Sequence, residues 1–153
     1  MTIHWCGTGL SAVPGLRRLI EEGRAVTVWN RTEDKARAAV GDLTEDIRAF
    51  DLDALAAALA PGDIVVSMLP GDWHVPIAEA AIAAGAHFVS SSYIAPEMRA
   101  LDAQARAAGV ALVNEVGLDP GIDHLMAHRL VADYRASDAF DPANTLSFTS
   151  YCG

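Results

Sequence analysis

The chain has 153 residues, the size of a single domain, and 52% of them are hydrophobic, which is enough to form a sizeable core. The formal net charge of −9 and the pI near 4.8 argue against a nucleic-acid partner, since binding to phosphate backbones requires an excess of Lys and Arg. No apolar stretch is long enough to span a bilayer and no signal sequence follows Met1, so we expect a cytoplasmic protein without a membrane partner.

The first strand-to-helix connection carries a glycine pattern. An apolar run at 3–6 precedes Gly7-Thr8-Gly9, and an amphipathic stretch begins near Ser11. The first glycine allows a sharp turn and the second lets a pyrophosphate approach the backbone, while Ala12 replaces the third glycine of the fingerprint. The pattern indicates a dinucleotide phosphate site, but an ordinary strand-to-helix turn can also carry it, so the surrounding sequence must decide.

Short β-rich runs alternate with alanine-rich helical stretches along the chain. The predicted strands lie at 3–6, 25–29, 47–50, 64–69, 86–90 and 110–114. Thr32 and Asp53 are predicted to cap the second and third helices, and Gly85 and Gly109 to end the two helices before the last two strands. This alternation predicts an α/β fold: a doubly wound parallel sheet, which is the Rossmann architecture of NAD(P)-binding domains.

The pattern changes after Asn114. A turn-rich connection at 117–121 leads into a predicted helix at 122–134, and the alternation at 145–151 resembles a half-buried strand. We therefore predict a Rossmann domain at 1–135 and, at 136–153, the start of a truncated substrate or dimerisation domain. The chain is expected to be the N-terminal portion of a longer protein.

The residues after the second predicted strand indicate which dinucleotide binds. Rossmann domains that prefer NAD carry Asp or Glu there to bind the ribose 2′-hydroxyl, whereas this chain has Asn30-Arg31-Thr32. A guanidinium and a hydroxyl could hold a 2′-phosphate, which favours NADP over NAD. The alternative is that Arg31 is an ordinary solvated loop residue.

The carboxyl ends of three other predicted strands are also polar or turn-rich, at 67–71, at Ser90-Ser91-Ser92-Tyr93 and at 114–121. Ligands of this architecture bind in the crevice at the carboxyl ends of the strands, so these residues are candidates for ligand contacts. A serine there can instead cap the next helix, and Asp119 lies in an Asp-Pro-Gly sequence that also forms ordinary turns.

Other kinds of site find little support in the sequence. His124 and His128 have the i, i+4 spacing of helical zinc ligands but lack the glutamate of the H-E-x-x-H motif, and we predict no metal site. Cys6 and Cys152 are far apart in the sequence and predict no disulfide framework. Without a G-x-S-x-G motif the serine cluster does not indicate a hydrolase.

The segments SSSYIAPEM at 90–98 and NEVGLDPGIDH at 114–124, together with the glycine turn, resemble the NADP-binding domain of the saccharopine dehydrogenase family, the glutamate-forming type also called saccharopine reductase. The resemblance extends from Ile3 to the end, where SYCG matches the entry into the family's second domain. It implies an oxidoreductase of lysine metabolism that transfers a hydride between NADP and a saccharopine C–N bond, yielding aminoadipate semialdehyde and glutamate. The implied substrate is an amino-dicarboxylate, and a homodimer through the second domain is expected.

The resemblance also implies site residues. The cofactor phosphates would contact Thr8, Gly9, Leu10 and Ser11 beside Gly7, and the 2′-phosphate would contact Asn30, Arg31 and Thr32. The adenine would lie by Asp51 and Leu52, and further cofactor contacts would come from Leu69, Ser91, Ser92, Leu118, Asp119 and Pro120. The substrate would reach Ser92, Tyr93 and Asp119.

Two alternatives remain open at the level of sequence. Dehydrogenases of related amino acids or polyamine imines share the nucleotide-binding half, so the substrate depends on analogy. A non-catalytic nucleotide-binding module would carry the same glycine turn. The catalytic acid or base is not assigned, because such an assignment first requires the distance between the side chain and the reacting group, and only then its pKa.

Overall fold

The structure is a computed structural model that describes residues 1–151 of the chain. Within them, one parallel sheet has the strand order β3-β2-β1-β4-β5-β6. The strands are β1 Ile3–Cys6, β2 Val26–Asn30, β3 Ile47–Ala49, β4 Ile64–Ser67, β5 His87–Ser90 and β6 Leu112–Val113. Each predicted strand of the Rossmann domain is present, with its ends within two residues of the prediction, so the predicted fold class is confirmed.

Helices cover both faces of this sheet. They are α1 Val13–Glu21, α2 Glu33–Val40, α3 Leu52–Ala58, α4 His74–Ala84, α5 Pro96–Ala100, α6 Asp102–Ala108 and α7 Ile122–Arg135. Leu16 of α1 and Val40 of α2 pack with Trp5 on one face, whereas Leu55 of α3 and Ile77 of α4 pack with Phe88 on the other. The central strands β1 and β2 are buried along their whole length, as parallel strands covered by helices on both faces require.

Three helix ends differ in their agreement with the sequence prediction. Gly85 and Gly109 are left-handed residues that end α4 and α6, as predicted. The prediction that Asp53 caps α3 is wrong, because Asp51 is the capping residue and its carboxylate accepts a hydrogen bond of 2.9 Å from Ala54 N. Asp51 has the extended backbone that a capping residue needs, while Asp53 lies in the first turn, where its charge still favours the helix dipole.

The predicted strand at 145–151 is also wrong. The helix before it is present as α7, but residues 145–151 adopt no regular structure and are exposed. Alternating residues form a half-buried strand only where a sheet edge offers hydrogen bonds, and no strand within residues 1–151 pairs with this segment. The proposed domain boundary at residue 135 stays a prediction. None of the helices in the described part of the chain is long and apolar enough to cross a membrane.

Candidate functional site

The crevice of this sheet lies between β1 and β4, where the strand order reverses direction. Gly7 follows β1 with φ +104°, and a Cβ atom there would lie 2.8 Å from the Met68 carbonyl oxygen at the end of β4. Only glycine fits such a position, because it combines a positive φ with a close backbone approach. At Gly9 a Cβ atom would meet nothing within 4 Å, so this residue faces open space instead.

The glycine loop is held in place but leaves donors free. Asn30 fixes it, because its Oδ1 accepts a hydrogen bond from Thr8 N at 3.2 Å while its Nδ2 donates to Thr32 O at 2.7 Å. The backbone amides of Gly9, Leu10 and Ser11 make no hydrogen bond among residues 1–151. These free amides lie next to the amino end of α1, where the helix dipole is positive, and such a place favours an anion.

Thr8 supplies a further polar group without a partner. Its Oγ1 is buried and is the one buried side-chain oxygen or nitrogen in the described residues that lacks a hydrogen bond. Buried hydroxyls are normally paired, so an unpaired one beside free amides fits a ligand that brings acceptor oxygens. The loop therefore fits the diphosphate of a dinucleotide.

A cavity of about 660 Å³, here called the β2 cavity, opens beside this loop between the ends of β1, β2 and β4. It brings together most of the residues expected for the adenosine half. Its lining includes Gly7, Thr8, Gly9, Asn30, Arg31, Thr32, Asp51, Leu52 and Leu69. Arg31 is exposed at its rim, and the acidic Glu33 is turned away, since its carboxylate accepts a hydrogen bond from Ala49 N on β3.

The sequence motifs did not indicate several residues of the β2 cavity, among them Asp53. Lys35, on the first turn of α2, adds a second cation near Arg31. Phe50 and Trp73 form an edge-on aromatic pair with ring centroids 5.1 Å apart and line the same space. The position of Lys35 four residues after Arg31 could have revealed it, but the aromatic pair joins residues 23 positions apart and carries no local signal.

A second cavity of about 560 Å³, the α1 cavity, lies on the other side of the loop. It brings Ser11 at the start of α1 together with Ser91, Leu118 and Asp119. Pro120 follows through a cis peptide bond and is buried, while Leu10 is 98% exposed and lines neither cavity. Gly121 has φ +144° and ends this connection as α7 begins.

A third cavity of about 450 Å³, the α4 cavity, contains Ser92 and Tyr93. Tyr93 Oη donates a hydrogen bond of 2.5 Å to Asp119 Oδ1, which links this cavity to the α1 cavity. The bond to the carboxylate, with a smaller contribution from burial, raises the pKa of Tyr93 to about 12. The phenol thus stays protonated at neutral pH and can donate to Asp119.

The α4 cavity also contains His74, which the sequence analysis did not identify. His74 is buried; its Nδ1 lies 2.9 Å from Ser67 Oγ and its Nε2 lies 2.7 Å from Ser92 Oγ. Burial lowers the pKa of this imidazole. Three residues from β4, α4 and the end of β5 thus form one hydrogen-bonded chain that ends at the cavity wall.

The two histidines with zinc-like spacing are not part of a ligand cluster. His124 Nδ1 lies 2.9 Å from the carboxylate of Asp123, which raises the pKa of the imidazole. Among residues 1–151 no three His, Cys, Asp or Glu side chains come close enough to hold a metal ion. Cys6 is buried within β1, and Cys152 lies outside the described residues.

Comparison with known proteins identifies the family of this chain. The family model described as the saccharopine dehydrogenase NADP binding domain matches residues 3–113. Saccharopine dehydrogenase [NADP(+), L-glutamate-forming] of Pyricularia oryzae is 37% identical over 151 residues, and that of Saccharomyces cerevisiae is 36% identical over 152. In both cases the match covers 96% of this chain and 33% of the relative, so the chain spans about one third of their length.

A solved structure agrees with these matches. Apo saccharopine dehydrogenase (L-Glu forming) from Saccharomyces cerevisiae superposes with a TM-score of 0.77 at 31% sequence identity, covering 88% of this chain and 31% of that one. The resemblance stated from the sequence motifs is therefore confirmed. The family consists of NADP-binding domains, which also confirms the predicted cofactor. This chain belongs to the saccharopine dehydrogenase NADP-binding domain family.

Proposed function

We propose that this domain binds NADP in the crevice between β1 and β4 and serves an enzyme that oxidises saccharopine to aminoadipate semialdehyde and glutamate. The observation that carries the proposal is the set of free donors at the glycine loop: three unpaired amides and the unpaired Thr8 hydroxyl beside a two-cation rim. Membership of the family supplies the substrate class.

In this proposal the loop holds the diphosphate. The amides of Gly9, Leu10 and Ser11 and the Thr8 hydroxyl donate to phosphate oxygens. Arg31 and Lys35 then hold the 2′-phosphate, with Asn30 and Thr32 shaping the rim, because two cations favour a dianion over a neutral hydroxyl. Asp51, Leu52 and Leu69 bound the adenosine, and NAD binds less tightly.

The nicotinamide half is proposed to extend toward the α1 and α4 cavities. Ser91, Leu118, Asp119 and Pro120 border that path, and Ser92, Tyr93 and Asp119 are proposed to meet the substrate. Bound NADP⁺ would supply the hydride acceptor for the lysine-derived carbon beside the secondary amine, whose nitrogen would lose a proton to give a C=N bond. The resulting C=N bond is then hydrolysed by water, which releases glutamate and the semialdehyde.

The protein's own contribution is to position the substrate and to hold protons. Tyr93 Oη keeps its proton and donates a hydrogen bond to Asp119 Oδ1, so this pair presents a carboxyl group and a neutral phenol at the crevice. Such a pair can orient an ammonium or amine group of the substrate. The general acid or base of the reaction stays unassigned.

The surface of α7 suggests where the rest of such an enzyme would dock. Leu125, Met126 and Leu130 are 59–69% exposed on this helix, and an apolar face of that kind is normally covered. We propose that residues 136–153 lead into a substrate domain that covers α7 and carries a dimer interface. The cytoplasmic location expected from the sequence also remains part of this proposal.

The binding half of the proposal is tested by thermal unfolding of the chain with NADPH, with NADH and without nucleotide. A ligand at about 100 times its Kd adds about 2.7 kcal/mol to the free energy of unfolding, and NADPH is expected to shift the midpoint more than NADH at equal concentration. No shift with either nucleotide contradicts the proposal. A shift with NADPH but no saccharopine oxidation by a longer polypeptide carrying this domain contradicts only the substrate.

A further inference from the structure

The hydrogen-bonded chain Ser67–His74–Ser92 joins the buried core to the wall of the α4 cavity. Ser67 is completely buried at the end of β4, His74 is buried at the start of α4, and Ser92 is partly exposed and lines the cavity. Ser92 is also held by its backbone, since its N–H donates to Ser90 Oγ at 3.0 Å. The hydroxyl of Ser92 therefore has a fixed place, and its hydrogen-bonding role depends on the imidazole.

A neutral imidazole has one donor nitrogen and one acceptor nitrogen, so His74 must donate to one serine and accept from the other. Burial without a facing carboxylate lowers the pKa of His74, which keeps the ring neutral near pH 7. Asp72 and Glu97 line the same cavity, but the structure pairs neither of them with the ring.

The difference in burial between the two serines decides the direction. His74 Nδ1 is the one hydrogen-bond partner that residues 1–151 give to the Ser67 hydroxyl. If Nδ1 carried the proton, the hydrogen of Ser67 would be buried without an acceptor, which is costly. If Nε2 carries the proton, Ser67 donates to Nδ1, and the hydrogen of Ser92 can point into the open cavity.

We propose that His74 is a positioning residue: it donates from Nε2 to Ser92 Oγ and so turns the Ser92 hydroxyl into a donor to an oxygen of the bound ligand. This inference rests on the proposed function, because it requires a ligand in the α4 cavity. The ligand group is an acceptor oxygen, either the carboxamide of the nicotinamide or a carboxylate of the substrate.

The protonation of His74 is measured first, on the chain without ligand. Two-bond ¹H–¹⁵N spectra of the imidazole distinguish a proton on Nε2 from one on Nδ1, and the His74→Phe variant identifies the His74 signals. His87 is an internal reference for the tautomer, because its Nδ1 accepts a hydrogen bond of 3.0 Å from Ala111 N and the proton of a neutral ring then lies on Nε2.

We expect His74 to show the same pattern as His87 at pH 7. A proton on Nδ1, or a doubly protonated ring, overturns the proposal. Because no nucleotide is present, a failure of NADP binding leaves this result unaffected, so the two proposals can fail separately.

Ligand affinity is measured next, with NADP⁺ alone and with saccharopine added to the NADP⁺-loaded protein. These two titrations are the first and the second arm of the experiment. Ser92→Ala and His74→Phe are expected to weaken binding in the same arm, each by about three- to tenfold, which corresponds to the free energy of one net hydrogen bond. Loss in the first arm identifies the cofactor carboxamide as the acceptor, and loss only in the second identifies the substrate carboxylate.

Two further variants separate positioning from general damage to the fold. His74→Gln keeps a donor amide on the side of Nε2 and is expected to restore most of the affinity that His74→Phe loses. The double variant Ser92→Ala, His74→Phe is expected to bind like Ser92→Ala alone. An additional His74→Phe loss in the Ser92→Ala background overturns the proposal, as does full affinity of His74→Phe.

His87→Phe provides the matched control. It removes an imidazole at the opposite end of β5, where Nδ1 accepts a hydrogen bond from Ala111 N. This side chain lines none of the three cavities of the crevice. Its affinity in both arms is expected to equal that of the unchanged chain. An equal loss with His87→Phe would mean that removing an imidazole acts through the general stability of the fold, and this also overturns the proposal.

Discussion

Replacing Arg31 by alanine is expected to weaken NADPH binding while leaving NADH binding nearly unchanged. Arg31 directly follows β2, is exposed at the rim of the β2 cavity, and forms no ion pair among residues 1–151. Its guanidinium is thus free to meet the one group that distinguishes the two cofactors, the 2′-phosphate. The change removes that charge without breaking a contact that supports the fold.

The size of the effect follows from the exposure of the site. A hydrogen bond between charged groups contributes about 1.5–3 kcal/mol, which corresponds to about 12- to 150-fold in Kd. Arg31 is solvated, and the carboxylates of Asp51 and Asp53 line the same cavity, so the lower end applies and we expect about tenfold. Lys35→Ala removes a second, more flexible charge, and we expect about threefold from it.

The assay is a titration of both cofactors against each variant at low and high salt. Arg24→Ala is the matched control, since Arg24 is an exposed arginine at the opposite edge of the sheet, outside the β2 cavity. It changes the net charge equally and is expected to change NADPH affinity little. The difference between NADPH and NADH is expected to shrink at high salt.

Two results would refute this reasoning. Equal losses of NADPH and NADH affinity in Arg31→Ala would mean that the residue supports the loop rather than the 2′-phosphate. A loss in Arg24→Ala as large as in Arg31→Ala would mean that net charge, not position, governs binding.

Three further outcomes are expected. Gly9→Ala should keep the unfolding midpoint yet weaken NADPH binding by at least about tenfold, because the added Cβ enters the space of the ligand. Gly7→Ala should instead lower the free energy of unfolding by about 1–3 kcal/mol, measured by urea denaturation. Equal stability of the two variants would contradict this. Burial of Asp63 raises its pKa, but hydrogen bonds from two backbone amides and a histidine lower it by more, so the folded pKa lies below the unfolded value of 3.8. The stability that this carboxylate contributes is present above pH 3.8 and should be lost as the pH falls through the lower, folded pKa. Asp63→Asn should flatten that loss in urea midpoints measured across the acid range. Asp119→Asn should move the pKa of Tyr93 from about 12 back toward 10.0 in phenolate absorbance titrations corrected with Tyr93→Phe; an unchanged titration would remove the proposed carboxylate partner.

The sequence allowed much of the crevice to be predicted because its chemistry is local. Gly7 and Gly9 belong to one turn, and Arg31 directly follows the strand that carries it to the rim. Parallel strands bring their carboxyl ends to one edge, so polar residues after different strands were expected to meet there. The Tyr93–Asp119 bond of 2.5 Å joins two of these predicted strand ends.

Other features depended on backbone geometry or on a pairing partner that the sequence pattern does not show. The choice of Asp51 over Asp53 as the cap of α3 depends on backbone geometry that neither side chain reveals. The segment 145–151 has the alternation of a strand but no neighbouring edge with which to pair within the described residues. A pattern fixes which face a strand would bury, but only a partner supplies its hydrogen bonds.

The amino-acid sequence by itself determined the order of strands and helices, the glycine turn and the cation after β2, because these depend on local periodicity and backbone conformation. Only the tertiary structure decided that Phe50 packs against Trp73 and that His74 bridges Ser67 and Ser92. The physical reason is that hydrogen bonds and packing between residues far apart in sequence form only after the sheet has brought its strand ends together.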